Sequence, residues 1–390
     1  MLLIIVTALS QQAGAQSPVP PGAAVERVTG GYQFTEGPLW REPGYLLFSD
    51  IPANTVYKWT PGNGSEIYLK PSGNSNGLAE DLQGRFLLAQ HGNRRVARIE
   101  ADGTEISLAS HYEGKRLNSP NDLTVKSDGS VYFTDPPYGI NSSQEELGFY
   151  GIYRLGADGV LTLLDNSLTR PNGIVFSPDE AVLYVNDSQN RKIYVWDVGG
   201  DGLLSGKRLF ATMTGSGSAD GMKVDVSGRL YSTGPGGVWI YAPDGTLLDR
   251  IDVPGQTTNL NWGEPDRKTL YITSGANVYS IRLDAAGTRV NRARTIAPER
   301  IVLFNNYPNP FNPHTTIDFE LPERSAAVIE IFDLRGTRVK TVAKGVFSPG
   351  RHSVSWDATD DRGHRVPGGV YFVRLSAGTE ILMGKMVLVR

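Results

Sequence analysis

Six oxygen-bearing side chains recur in this chain at a fixed offset. Glu36, Asn76, Asn121, Asn172, Asp220 and Asn259 each stand 14 or 15 residues ahead of the end of an apolar run. Those runs, "GYLLFSD", "RFLLAQ", "SVYFTD", "AVLYVND", "RLYSTG" and "TLYITS", end at Asp50, Gln90, Asp135, Asp187, Gly234 and Ser274. Two carboxylates and four carboxamides make an oxygen-rich donor set, and the two carboxylates would balance a divalent charge. Such a set suits a hard cation such as Ca²⁺, which takes about 6 to 8 oxygens. The chain has no Cys, and only His91 and His111 fall in this region, so a zinc site built on Cys or three His is disfavoured. A single Asn-Gly, such as Asn76-Gly77, is adequately explained as turn chemistry. Turn chemistry does not explain six in register, nor why one is Glu36 and another Asp220.

The elements that must position these residues follow from the same runs. Their ends are spaced by 40, 45, 52, 47 and 40 residues. Each run is β-branched and aromatic, follows a turn, and precedes a second strand: "TVYKW", "RVARIE", "GIYRL", "KIYVW", "GVWIY", "NVYSI". Repeats of about 40 to 50 residues made of short antiparallel strands are the signature of a β-propeller. The predicted class is all-β, a six-bladed β-propeller. Rotation about its axis would bring the six polar residues into a ring at one mouth of the central channel.

The segments "EGPLW", "SPNDLTVKSDGSVYFTDPPYG", "RPNGIVFSPDEAVLYVNDS", "ADGMKVDVSGRLYSTG" and "TTNLNWGEPDRKTLYIT" resemble the senescence marker protein/gluconolactonase/regucalcin family over residues 25–290. The resemblance implies a six-bladed propeller with a catalytic divalent metal, usually Ca²⁺, at the channel mouth; Zn²⁺, Mn²⁺ or Mg²⁺ are accepted by relatives. It places the metal ligands on Glu36, Asn121, Asn172 and Asp220, with Asn121 also contacting substrate, and Asn76 and Asn259 lining the pocket. His91 matches a pocket-side segment, and its alternative is a packed or capping residue. The implied reaction is hydrolysis of a sugar lactone to its hydroxy acid, with the metal polarising the carbonyl and stabilising the oxyanion. Asp220 is the first candidate for general base. Asp187 is a second, its alternative being a strand-end cap. Arg116, ahead of the Asn121 loop, is a candidate for substrate hydroxyls or a carboxylate; as a loop arginine its alternative is simple solvation.

Other chemistries lack their motifs. "VWD" at 195–197 is a lone pair without WD40 companions, and "GSGSADG" at 215–221 opens no helix. There is no GxSxG elbow and no HExxH helix. With 38 basic and 41 acidic residues the chain carries no nucleic-acid footprint.

Beyond the propeller, Pro and Asn cluster near 290–313, giving a linker at 291–302. Residues 303–390 then alternate as seven or so short strands, including "TTIDFEL", "AVIEIFDL" and "GVYFVRL", which predicts a small immunoglobulin-like β-sandwich. "NYPNPFNPHTTIDFELP", "WDATDDRGHRVPGGVYFVRL" and "KMVLVR" resemble the type IX secretion system sorting domain, overlapping the flagellar-hook-cap-type immunoglobulin-like domain. That resemblance implies the secretion machinery as a partner and release or surface attachment. "LLIIVTAL" followed by "AGA" reads as a signal peptide over 1–15, too short to span a bilayer. It lacks a basic n-region, which puts the true start upstream. An exported monomeric lactonase is therefore expected. Two alternatives stand beside it: an organophosphate or other ester hydrolase on the same scaffold, and a non-catalytic carbohydrate- or surface-binding propeller.

Overall fold

The structure is a computed structural model and describes residues 16–288 and 301–389, apart from 43, 101, 305, 307, 323–324 and 348–349. The expected signal peptide and most of the expected linker lie outside the described residues. The chain divides at residue 292 into two compact units.

The first unit contains six four-stranded antiparallel sheets, the first five laid out in chain order. Their innermost strands are Thr35–Arg41, Ser75–Glu80, Leu123–Val125, Pro171–Phe176, Met222–Val224 and Thr257–Gly263. Each packs against the innermost strand of the next sheet, and the sixth meets the first, so the sheets form a closed ring. The outer place in the sixth sheet is filled from the other end of the unit: Glu26–Gly30 pairs with Asn277–Arg282. Fully buried Leu, Val and aromatic side chains fill the space between neighbouring sheets, as with Leu47, Val56 and Leu88 between the first two.

The apolar runs read from sequence as first strands occupy second place in each sheet, and their followers occupy third. The innermost strands are not among the runs named from the sequence. Four of them are rich in Gly, Asn and Pro, a composition like that of turns, and packing near the axis explains it. A Cβ on Gly77 would come within 2.8 Å of the Asn121 carbonyl oxygen and 2.7 Å of an Asp122 oxygen, and one on Gly221 would strike the Asn259 side chain. Four of these strands also carry a bulge at or beside the ring residue, at Glu36/Leu39, Ser75/Leu78, Pro171/Ile174 and Thr257/Asn259. A bulge re-aims a side chain.

A belt of polar contacts ties sheet to sheet. The residue before the end of a second strand reaches the inner-strand carbonyl of the following sheet: Ser49 Oγ to Asn76 O at 2.9 Å, Thr134 Oγ1 to Asn172 O at 2.7 Å, Thr233 Oγ1 to Thr258 O at 2.8 Å, and Asn186 Nδ2 to Asp220 O. Thr258 Oγ1 closes the circle on Thr35 O at 2.8 Å. Ala89 holds this position in the second sheet, where the Gly77 N–H donates instead to Asn121 O at 2.8 Å.

The second unit comprises a three-stranded sheet (Val302–Leu303, Thr315–Leu321, Gly350–Trp356) and a four-stranded sheet (Arg338–Phe347, Ser325–Phe332, Gly369–Ala377, Glu380–Leu388). Phe319, Ile329, Ile331, Trp356 and Leu375 lie in its core. Among the described residues no helix is long and apolar enough to cross a membrane.

The Gly77 contact generates a prediction. Gly77→Ala should lower unfolding free energy by about 1 to 3 kcal/mol through overpacking, measured by chemical denaturation. An unchanged midpoint would show that the inner strands can separate without cost.

Candidate active site

The bulges and strand starts bring all six ring residues together. Glu36, Asn76, Asn121, Asn172 and Asn259 are buried, and Asp220 alone is partly exposed. Hydrogen bonds run around the ring. Asn76 Nδ2 donates to Asn121 Oδ1 at 2.6 Å, and Asn121 Nδ2 to Asn172 Oδ1 at 2.5 Å. The Asn172 side chain in turn lies beside the Asp220 carboxyl and favours its ionised form. On the other side, Asn259 Nδ2 bridges Glu36 Oε2 at 3.1 Å and Asp122 Oδ2 at 3.4 Å.

Asp122 is the member sequence reasoning missed. It directly follows Asn121, is 2 % exposed, and takes one backbone bond, from Leu123 N at 2.9 Å. The signal was present in the repeat: the residue after the ring position is Gly37, Gly77, Gly173 and Gly221 in four sheets, and an acid there breaks the pattern. Three carboxylates therefore share the axis. Burial, reinforced by Asp122, pushes the Glu36 carboxyl up to about 8, against the Gly37 N–H and Asn259 bonds that favour its ionised form. Desolvation of its carboxyl end, then Glu36 and Asp122, raises Asp220 well above the usual carboxylate range, even though part of the residue is exposed. Burial also raises Asp122.

His91 lies inside this network, its Nε2 3.1 Å from Asn121 Oδ1 and 3.2 Å from Asn76 Nδ2. Burial lowers its pKa to about 4, so the ring is neutral at pH 7.

The other sequence candidates lie elsewhere. Asp187 accepts from the backbone N–H of Thr169 at 2.9 Å and Arg170 at 3.2 Å, and from Asn190 Nδ2 at 2.8 Å. Asp50 and Asp135 make matching caps, to Gln33 and Phe34 and to Asn118, so Asp187 is placed as a strand-end cap. Arg116 donates to the Asn93 carbonyl at 3.0 Å, and its own N–H meets Glu146; these partners are not ring members. Tyr138, unmarked individually by sequence, reaches the site instead. Its hydroxyl lies near Asn172, Ser188 and Asp220, and the Arg170 guanidinium lies 5.6 Å from its ring centroid.

The donor set fits a hard divalent cation. Glu36, Asp220, Asn121 and Asn172 supply oxygens, the mutual repulsion of three carboxylates calls for positive charge, and Asn76 Oδ1 is buried without a hydrogen-bond partner. Among the described residues no group of three His, Cys, Asp or Glu forms a metal site by itself, so the amides are needed in any ligand set.

A closed ring of six sheets that turns carboxylates and carboxamides toward one mouth defines a β-propeller with a polar axial site. The chain belongs to the family described as the SMP-30/gluconolactonase/LRE-like region, whose profile matches residues 34–276. It is 38 % identical over 293 residues to the gluconolactonase of Zymomonas mobilis subsp. mobilis, covering 67 % of this chain and 82 % of that protein. It is 27 % identical over 248 residues to pentonolactonase XacC of Haloferax volcanii, covering 61 % and 80 %. Among solved structures, a gluconolactonase of Xanthomonas campestris matches with TM-score 0.64 and 36 % identity, over 68 % of this chain and 91 % of that one. A calcium-binding regucalcin of Agrobacterium tumefaciens, 22 % identical with TM-score 0.59 over 68 % and 96 %, shares the fold. Residues 309–380 match the FlgD Ig-like domain.

The raised carboxyls fix a pH dependence. Between its ordinary value of 4.5 and about 8, native Glu36 holds a proton that the unfolded chain releases, so stability falls as pH rises. Asp135, pushed up to about 7 by burial, acts in the same direction. His91 acts oppositely, but only below 6.5. In chelator the melting temperature should therefore fall from pH 6.5 to 8. Saturating Ca²⁺ should shrink that slope, leaving the Asp135 part. A melting temperature that rises over this range would contradict the carboxylate cluster.

Proposed function

We propose that the protein hydrolyses a sugar lactone to its hydroxy acid, with a divalent cation, Ca²⁺ first among candidates, at the ring. The observation that carries this reading is the cluster of buried Glu36, Asn121 and Asn172 with the partly exposed Asp220 at one mouth of the channel, in a chain 38 % identical to a gluconolactonase. When bound by those four residues, the cation would polarise the lactone carbonyl and offset the oxyanion charge.

The chain's own residues do the rest. Asn259 holds Glu36, and the Asn76–His91 pair holds Asn121, so the donors are set before substrate arrives and reorganisation is small. The neutral imidazole adds no charge that would repel a cation. Tyr138 and Arg170 form one wall of the mouth, where the flat phenol ring and guanidinium suit a polyhydroxylated ring. Asp220 is the ring member open to solvent, so its carboxylate can meet the attacking water. It takes the proton of the attacking water and returns it to the ring oxygen as the acyl C–O bond breaks.

We propose further that the protein is exported and that residues 303–390 address it to the type IX secretion machinery, a reading that rests on the sequence motifs and is compatible with an immunoglobulin-like fold.

Two experiments test these readings. The full chain should hydrolyse glucono-1,5-lactone, followed by pH indicator, with turnover lost in chelator and reduced by about 100-fold or more in Asp220→Ala. No turnover by the native sequence, or full turnover by the variant, would overturn the assignment. Expressed in a bacterium with type IX secretion, the full chain should reach the medium or cell surface, and a chain ending at 302 should stay inside; equal export would remove the sorting role.

A further inference from the structure

The second and third strands of each sheet are joined at the mouth that holds the ring, because the ring residues lie opposite the ends of the second strands: Glu36 faces Ser49 and Asn259 faces Thr273. In five sheets these joints are short turns, 51–54, 91–94, 188–191, 235–236 and 275–276. In the third sheet the connection covers 136–150. A loop of that length in a compact domain is commonly functional.

One buried hydroxyl holds the start of this loop. Ser119 Oγ donates to the Pro136 carbonyl at 2.6 Å and accepts from the Gly139 N–H at 2.8 Å, and Ser119 is fully buried. The two residues pinned between these bonds are Pro137 and Tyr138. Beyond them the loop rests on the ring's own support: a Cβ on Gly139 would come within 2.6 Å of His91 Cβ, and His91 Nε2 lies 3.1 Å from Asn121 Oδ1. Ser119 itself stands two residues before Asn121, and the neighbouring Asn118 N–H donates to Asp135 at 2.7 Å. Segment 118–121 therefore fixes the end of a second strand, the loop and a ring residue together. Tyr138 is left 39 % exposed, enough to meet a ligand, with the guanidinium of Arg170 at 5.6 Å and Arg170 two residues before Asn172.

We propose that Ser119 is a positioning residue for substrate: by pinning Tyr138 at the mouth it presents the phenol ring as a platform for the sugar ring, and so sets how tightly the lactone binds without touching it. This rests on the lactonase reading given above. A platform of this kind meets the part of the substrate remote from the carbonyl, so losing it weakens ground state and transition state alike and raises KM with little change in kcat.

The test is a double-mutant cycle on the full chain, with KM and kcat measured for glucono-1,5-lactone. Ser119→Ala should raise KM by about tenfold and keep kcat within about threefold. Tyr138→Ala should raise KM at least as much. With Tyr138→Ala in place, adding Ser119→Ala should change KM by less than about twofold, because the pin then holds nothing that meets substrate. A merely structural role for the hydroxyl would act in both backgrounds. Ser119→Cys, similar in size but a weak donor, takes the place of the Ala variant if that one does not fold. An unchanged KM in Ser119→Ala, or an equal rise in both backgrounds, would overturn the proposal and leave the lactonase reading intact. If the native sequence turns over no lactone, that reading fails, and the same cycle is read as the Kd for glucono-1,5-lactone by titration calorimetry; absence of binding would overturn both.

Discussion

Three carboxylates crowded together, Glu36 and Asp122 buried and Asp220 at the open mouth, are the constraint around which this propeller is arranged. Isolated, such groups would abandon their charge or force the strands apart. They are held by short-range donors: Gly37 N–H on Glu36 at 2.7 Å, Leu123 N–H on Asp122, and Asn259 between the two. Gly37 and Leu123 each follow their carboxylate in the same strand, whereas the Asn259 bridge requires the inner strands to approach closely, which glycine after the ring position permits in four sheets. The backbone and the electrostatics are thus one design. A bulky residue at Gly77 and a lost amide at Asn259 would injure the same thing.

The belt of hydroxyls and amides below the site answers a related problem. Inner-strand carbonyls at a crowded axis have no further strand to pair with, and leaving them buried and unpaired is costly. Ser49, Thr134, Asn186, Thr233 and Thr258 satisfy them across the sheet boundaries. One sheet's second strand therefore fixes the next sheet's functional residue. Asn172, for instance, is positioned by its own bulge, by Thr134 on its carbonyl and by Asn121 on its side chain.

Much of this was legible in the sequence, and what was not has physical causes. The spacing of the apolar runs carried the repeat and the ring, because period-2 burial and turn residues are local signals. Four innermost strands escaped because axial crowding selects turn-like residues for them, so Asn76-Gly77 looks the same in a turn and in a buried strand, and the other two are only three residues long. Asp122 escaped because its neighbour Asn121 already filled the ring position. Asp187 could be resolved only by its partners, since an acid at a strand end reads alike as base or cap until the Thr169 and Arg170 N–H groups are seen to point at it. Tyr138 approaches from a loop whose path no periodicity encodes.

The closure of the ring has a consequence for how the molecule comes into being. Glu26–Gly30 finds its partner in Asn277–Arg282, some 250 residues later in the chain, and pairings of such separation form late because loop-closure entropy must first be overcome. Until then the third strand of the sixth sheet presents an open edge, which is a template for pairing with other chains. Order of synthesis therefore matters: five sheets can be complete while the axial cluster lacks Asn259 and the ring remains a crescent. Completion of the site and completion of the barrel-like ring are the same event, so an unfinished chain can neither assemble the carboxylate cluster nor hide its edge.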